Sequence, residues 1–286
     1  MFEKIAVIGV GLIGGSLALS AKKNLNAKVF GVDISQNSLE KALEIGAIEA
    51  GSKDLSDLGA FDPDCVVIAT PTSVALEILP KIANFISKDT IISDVCSIKS
   101  EITIAFERVF GDRFVGAHPI AGSERSGILN ADEDLFKDRL VVLTPTSKTS
   151  QKALKSIDLL WQKIGAKTEI MDPRFHDFVF GALSHLPHAV CFALLSSAKS
   201  LLKNSELFKY CGPGFLDSTR IAASDPLIWR DIFLYNSENL IKGLETMIST
   251  LSSLKELIKN HSDKELLEFL SLSSNLRRSL CEHKDR

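Results

Sequence analysis

Gly9, Gly11 and Gly14, spaced as G-x-G-x-x-G behind the β-rich run Ile5-Ala-Val-Ile8, restrict what this chain can fold into more than any other feature. An apolar segment long enough for a helix, Leu12 to Ala21, follows at once. In a strand–turn–helix of this kind each glycine has a physical reason: a tight turn, close approach of backbone to a pyrophosphate, and close helix–strand contact. The helix N-terminus then turns unpaired N–H groups and a positive dipole end toward the phosphates. Asp33 closes a second strand, Lys28-Val-Phe-Gly-Val32, 19 residues after Gly14. A carboxylate there accepts hydrogen bonds from adenosine ribose hydroxyls and repels a 2′-phosphate, so the pattern favours NAD over NADP. The competing reading is a glycine turn that binds no nucleotide, with Asp33 a strand cap. On the first reading the cofactor-binding set is Gly9, Gly11, Leu12, Ile13 and Gly14 with Asp33, joined by Thr70 and Pro71 from the loop after a third strand. That loop reads equally as a plain strand-to-helix turn.

Ile5 to Ala21 carries no charge and ends in Ala-Leu-Ser-Ala, which imitates a signal peptide. Glu3 puts an acid where such a peptide needs positive charge, and four glycines interrupt the run. The segment also falls short of the ~20 residues a spanning helix needs. Five scattered cysteines (65, 96, 191, 211 and 281) contain no C-x-x-C pair, which argues against a disulfide framework or zinc cluster and for a reducing compartment. Thirty-three basic against 36 acidic residues leave a net charge of −3. That balance gives no footing for nucleic acid or an anionic membrane. The expectation is a cytoplasmic protein without nucleic-acid or membrane partners.

Further runs extend the strand–helix alternation. Strands are expected at Cys65–Ala69, Thr90–Ser93, Phe114–Ala117 and Arg139–Leu143, with helices at 39–45, 74–86 and 98–109. Continuous apolar strands such as Cys65-Val-Val-Ile-Ala69 belong to a parallel sheet covered on both faces. Alternation to about residue 171 predicts an α/β, Rossmann-type doubly wound sheet. After Asp172-Pro173 only helical stretches follow, at 175–202, 218–235, 236–259 and 263–280. The expected division is 1–171 for a nucleotide-binding domain and 172–286 for an all-α domain.

His118, in Gly116-Ala-His-Pro-Ile-Ala-Gly122, follows a strand. If that strand is parallel, its C-terminal end faces the cofactor crevice, where an imidazole is a natural general base. On these residues alone it reads equally as a hydrogen-bonded loop histidine. Ser97 could orient His118, cap the helix 98–109, or both. His185 and His188 share a helix face in Ser184-His-Leu-Pro-His188, with Pro187 expected to bend the helix. No neighbouring Cys or carboxylate pattern completes a metal set, so substrate contact is favoured over a metal. Arg220 suits bidentate carboxylate binding, or an ion pair with Asp217. Trp229-Arg-Asp231 reads as a second cluster, or as a core tryptophan with solvated charges.

Together these motifs resemble the prephenate dehydrogenase family over nearly the whole chain. The likeness rests on Val7 to Ser16, Asp94-Val-Cys-Ser-Ile-Lys99, Gly116 to Glu124, Ser184-His-Leu-Pro-His188, Thr219-Arg-Ile-Ala-Ala-Ser-Asp-Pro226 and Trp229-Arg-Asp231. The resemblance implies an NAD domain followed by an all-helical, substrate-binding and dimerisation domain. It implies that His118 accepts a hydrogen bond from the substrate's ring hydroxyl and that Ser97 helps orient it. His188 and Arg220 are implied to contact prephenate, and Ser123 and Glu124 to line the substrate mouth. Leu216 stands where some relatives carry lysine, and Gly212-Pro-Gly214 replaces an all-glycine turn. No segment matches an appended ACT or chorismate mutase domain, so any tyrosine feedback is expected to act at the active site. The implied reaction is NAD-dependent oxidative decarboxylation of prephenate by a homodimer. Rivals are an arogenate or dual-specificity cyclohexadienyl dehydrogenase, a β-hydroxyacid dehydrogenase and a non-catalytic NAD-binding sensor.

Overall fold

The computed structural model describes residues 2–121 and 126–284, and falls into two units, Met1–Ser237 and Glu238–Arg286. The first half alternates as β1 (Lys4–Ile8), α1 (Leu12–Leu25), β2 (Lys28–Val32), α2 (Gln36–Glu44), β3 (Ala50–Ser52), α3 (Leu58–Phe61), β4 (Cys65–Ile68), α4 (Thr72–Ile82), β5 (Ile91–Asp94), α5 (Ser100–Phe110), β6 (Phe114–Pro119), β7 (Leu140–Thr144), α6 (Gln151–Lys163) and β8 (Lys167–Ile170). The strands form one eight-stranded sheet in the order β3-β2-β1-β4-β5-β6-β7-β8. Its direction of winding reverses between β1 and β4, which opens a crevice at their C-terminal ends.

Alternate residues of the central strands feed different cores. Ile5 and Val7 of β1 join Leu17, Val67 and Trp161, while Ala6 and Ile8 join Ile68, Phe106 and Phe114. Both faces are therefore covered, which explains why these strands read as unbroken apolar runs.

Three sequence expectations change at this level. Strands β3 and β8 lie at the sheet's two edges, and their exposed, partly polar residues hide them from an apolar-run search. Strand β7 pairs antiparallel with β6, although every other pair is parallel. Among the described residues the connection between β6 and β7 holds only the 3-10 turn Ile128–Asn130. An antiparallel return needs no crossover helix. Helix α5 begins at Ser100, two residues later than expected, so Ser97 is not its cap.

Next come α7 (Pro173–Phe180), a π-helical turn at Gly181–His185, and α8 (Leu186–Leu202). Pro187 has no N–H to donate to the preceding turn, and the backbone widens there instead of breaking. The expected helix 218–235 divides into α9 (Pro213–Thr219), a 3-10 turn at Arg220–Ala223 and α10 (Pro226–Tyr235). Asp225-Pro226 starts α10 afresh: the Asp225 carboxylate accepts from Leu227 N at 2.8 Å. Helices α11 (Ser237–Lys259) and α12 (Asp263–Lys284) complete the chain.

By length and composition Pro173–Leu202 is apolar enough to cross a membrane. It nevertheless carries Asp177 and three histidines, and His176, Asp177 and His185 are buried within the first unit.

Candidate active site

The glycine turn behaves as its spacing requires. Gly9 has φ +94°, and a Cβ there would lie 2.6 Å from Ala69 O. A Cβ on Gly14 would meet Gly9 O at 2.0 Å. These two are demanded by the chain's own packing. Gly11 is different: a Cβ there meets nothing within 4 Å among the described residues, so their packing does not require glycine. Its smallness suits a group approaching from outside. Gly11 also caps α1 without any side-chain hydrogen bond, leaving the first-turn N–H groups of Leu12 and Ile13 to face that group.

Asp33 is tied to both sides of this turn. Its Oδ2 accepts from Val10 N at 3.0 Å and its Oδ1 from Ser35 N at 2.8 Å. Thr70 packs its methyl group toward Gly9, and its buried hydroxyl has no hydrogen-bond partner among the described residues. Pro71 leads exposed into α4. The backbone donors, the open helix end and the Asp33 carboxylate fit a dinucleotide.

His118 stands near the C-terminal end of β6, which runs parallel to β5, so it faces the crevice side of the sheet. Its Nδ1 lies 2.8 Å from His176 Nε2, and His176 Nδ1 lies 2.9 Å from Asp177 Oδ1. Asp177 also accepts from Lys99 N at 2.7 Å and Ser100 N at 2.8 Å, the start of α5. Burial alone would raise this carboxyl, but the hydrogen bonds from His176, Ser100 and Lys99 outweigh it and hold the carboxyl below its usual range. An ionised Asp177 only accepts, so His176 must carry its proton on Nδ1. His176 Nε2 is then a lone pair, and His118 must donate to it from Nδ1. His118 Nε2 is left bare, as a base requires.

The surroundings keep that ring neutral. Crowding by protein pushes the His118 imidazole well below its ordinary value, helped by His176, Lys99 and His185. Phe180 closes one side, with its ring centroid 4.9 Å from His118 and 4.4 Å from His176. His118 nevertheless remains partly exposed.

Two expectations are corrected here. His176, not Ser97, occupies His118 Nδ1; Ser97 lies half-exposed in the loop after β5, and no hydrogen bond joins it to His118 among the described residues. Asp231 is not a solvated charge. It is buried, accepts from Ser73 N at 2.9 Å at the start of α4, and pairs with the exposed Arg230 at 2.7 Å. His176 escaped the sequence reading, although its position beside Asp177, just inside a helix opened by Asp172-Pro173, was a usable signal.

His185 is buried, with Nδ1 2.9 Å from Asn236 Nδ2. The amide donates, so His185 carries its proton on Nε2, which has no partner among the described residues. Burial is the main cause that brings its pKa down to about 4. His188 donates from Nδ1 to Ser184 O at 2.9 Å, leaving Nε2 as an acceptor. Its ring stacks on Trp229 at a centroid distance of 3.5 Å, and burial lowers its pKa. Arg220 is exposed on the 3-10 turn that packs against α8, the helix bearing His188. Leu216 is exposed on α9, and Pro213 opens that helix. Ser123 and Glu124 lie outside the described residues.

Residues 17–170 match the family model for the nucleotide-binding domain of prephenate dehydrogenase, and residues 172–272 match the model for its dimerization domain. The chain belongs to the prephenate dehydrogenase family. A prephenate dehydrogenase of Bacillus subtilis is 33% identical over 98% of this chain and 76% of its own length. A cyclohexadienyl dehydrogenase of Zymomonas mobilis is 31% identical over 98% of this chain and 97% of its own. The crystal structure of prephenate dehydrogenase from A. aeolicus, in complex with hydroxyphenyl propionate and NAD+, is 40% identical and superposes with a TM-score of 0.93. That match covers 98% of this chain and 99% of the other. The fold class is thus that of this prephenate dehydrogenase family: a nucleotide-binding domain with a mostly parallel sheet, then a helical dimerisation domain.

Because only an incoming group needs Gly11 to be small, Gly11→Ala should leave the melting temperature within ~2 °C and weaken NAD binding at least ~10-fold, about 1.4 kcal/mol. Calorimetric titration checks this, and unchanged affinity would remove the pyrophosphate from Gly11. A second outcome concerns pH. His118, His176 and His185 all have folded values below the unfolded 6.5, so the unfolded chain takes up protons first on acidification. Their contribution to stability is complete above about 6.5 and falls as the pH drops toward 4. Urea midpoints between these pH values should decline, and a flat profile would contradict neutral buried imidazoles.

Proposed function

We propose that this chain catalyses the NAD-dependent oxidative decarboxylation of prephenate to 4-hydroxyphenylpyruvate and CO2, a step of tyrosine biosynthesis. The observation that carries this reading is the bare Nε2 of His118, held by His176 and Asp177 at the crevice edge of the sheet. When bound, NAD supplies the acceptor for the hydrogen and electron pair leaving ring carbon C4. Gly9, Gly11, Leu12, Ile13, Gly14, Asp33, Thr70 and Pro71 are the residues that would hold it.

His118 Nε2 accepts the proton of the C4 hydroxyl as electron density leaves that carbon. The bond from C1 to its carboxylate breaks, CO2 departs, and the released pair completes the aromatic ring. The phenol oxygen regains the proton in the product. Aromatisation supplies most of the driving force, so the protein's task is orientation together with base assistance of ~10²–10⁴-fold.

Other residues divide the substrate's polar groups. His185 offers a donor at Nε2 and His188 an acceptor at Nε2, while Arg220 suits a carboxylate. Ser123 and Glu124 complete the proposed substrate set. Tyrosine, which shares the product's ring and side-chain carboxylate, would compete in the same place.

A dual-specificity cyclohexadienyl dehydrogenase is the second reading, supported by the Zymomonas mobilis relative of that name. The ranges of the two family matches support a domain division at about residue 171. Cys65, Cys96, Cys191 and Cys211 are unpaired, which supports a reducing, cytoplasmic setting. We also propose a homodimer. Leu183, Leu194 and Leu201 are exposed around α8, as are Ile241, Ile248, Leu251 and Ile258 on α11 and Leu267, Leu270, Leu276 and Leu280 on α12. Apolar surface on this scale marks a protein contact in a soluble chain.

Absorbance at ~340 nm, where reduced nicotinamide is read, should rise with prephenate and NAD, with parallel arogenate, NADP and tyrosine arms. His118→Asn should lower kcat ~10²–10⁴-fold at near-normal KM, whereas Arg220→Ala should mainly raise KM. The reverse pattern would overturn both roles, and turnover of arogenate alone would change the substrate. Light scattering of the purified protein should give twice the chain mass of 31.2 kDa; a stable monomer would sink the dimer.

A further inference from the structure

Lys99 has no solvent-exposed surface, and the reaction above gives it no part. Its ammonium donates to Asp94 Oδ2 and, at 2.8 Å, to the carbonyl of Ala117, the residue before His118. Its backbone N–H donates to Asp177 Oδ1, at the far end of the histidine relay. A single residue thus touches the strand that presents the base and the carboxylate that sets the base's tautomer. Asp94 in turn accepts from Cys96 N at 2.9 Å.

A buried ion pair is an expensive way to fasten two strands. Uncharged side chains of similar volume often serve stability equally well. The charge therefore calls for another use, and the site beside it supplies one. We propose that Lys99 is a positioning residue for His118, whose buried ammonium fixes the strand end beneath the imidazole and favours the neutral, proton-accepting ring. This rests on the reading of His118 as the base.

Among the described residues, the titratable groups around His118 are His176 and Asp177 from α7, His185 from the π-helical turn, Lys99 from the loop before α5 and Asp94 from β5. Crowding by protein is the first cause of the lowered His118 value, followed by the like charges of His176, Lys99 and His185. On His176, Lys99 also acts downward, whereas Asp177 and Asp94 act upward. Lys99 acts on both rings from one point, its Nζ held between Asp94 Oδ2 and the Ala117 carbonyl.

The test is the pH profile of kcat/KM for the wild type, Lys99→Met and Lys99→Met/Asp94→Asn, with His118 also titrated by imidazole NMR without substrate or NAD. In Lys99→Met the acid limb and the NMR midpoint should both move up by ~1 pH unit, as expected for loss of a close like charge. The double variant removes the carboxylate left unpaired by the single one. It should fold where the single variant does not, and still show an upward shift. A folded variant whose limb and NMR midpoint coincide with the wild type overturns the proposal and leaves Lys99 a strand fastener. The NMR midpoint needs no turnover. A wild type inactive on prephenate would therefore count against the reaction, while the midpoint still decides the role of Lys99.

Discussion

The carboxylate of Asp177 accepts three N–H groups drawn from different parts of the chain. Two are the backbone amides of Lys99 and Ser100, where α5 begins, and the third is His176 Nδ1. A helix start buried without acceptors is costly, and so is a buried carboxylate without donors. Each need is met by the other. The result fixes α7 against the start of α5 and sends one defined proton arrangement through His176 to His118. The tautomer of His118 is thus fixed by hydrogen bonds that the fold itself needs beside it.

A second carboxylate repeats this device. Asp231 of α10 accepts from Ser73 N at the start of α4, as Asp177 does at the start of α5. Helices α4 and α5 follow β4 and β5, so both caps lie at the C-terminal side of the sheet where the crevice opens. Trp229 and Ile232 add apolar contact by joining the core that holds Ile68 and Phe106. Polar caps set where the helical segment docks, and apolar burial gives it hold. That division suits a site whose parts come from both segments and must meet in register.

The four histidines between positions 118 and 188 adopt two tautomers, set by four different partners at Nδ1. His118 has a bare Nε2, His176 passes a hydrogen bond between two partners, His185 keeps a proton on Nε2, and His188 presents Nε2 as an acceptor while stacked on Trp229. What separates them is the group opposite Nδ1: another imidazole, a carboxylate, an amide or a carbonyl. Neutral imidazole is favoured in all four, because burial penalises its charged form.

Much of this was legible in the residues alone. The glycine spacing and Asp33 follow from local geometry, since turn, strand end and helix start lie within one short βαβ unit. Apolar runs marked the interior strands because both sheet faces are covered, and His118 was visible as a strand-end histidine. Other features were decided only in three dimensions. Edge strands β3 and β8 carry no apolar run, and the reversed direction of β7 depends on how the chain returns rather than on its composition. His176 and Lys99 matter through partners 58 and 18 residues away in the chain. Sequence by itself determined which local elements form and which chemistry is available, because periodicity and turn geometry act over a few residues. Only tertiary structure decided which imidazole nitrogens are bare, because hydrogen bonds between distant segments assign the protons.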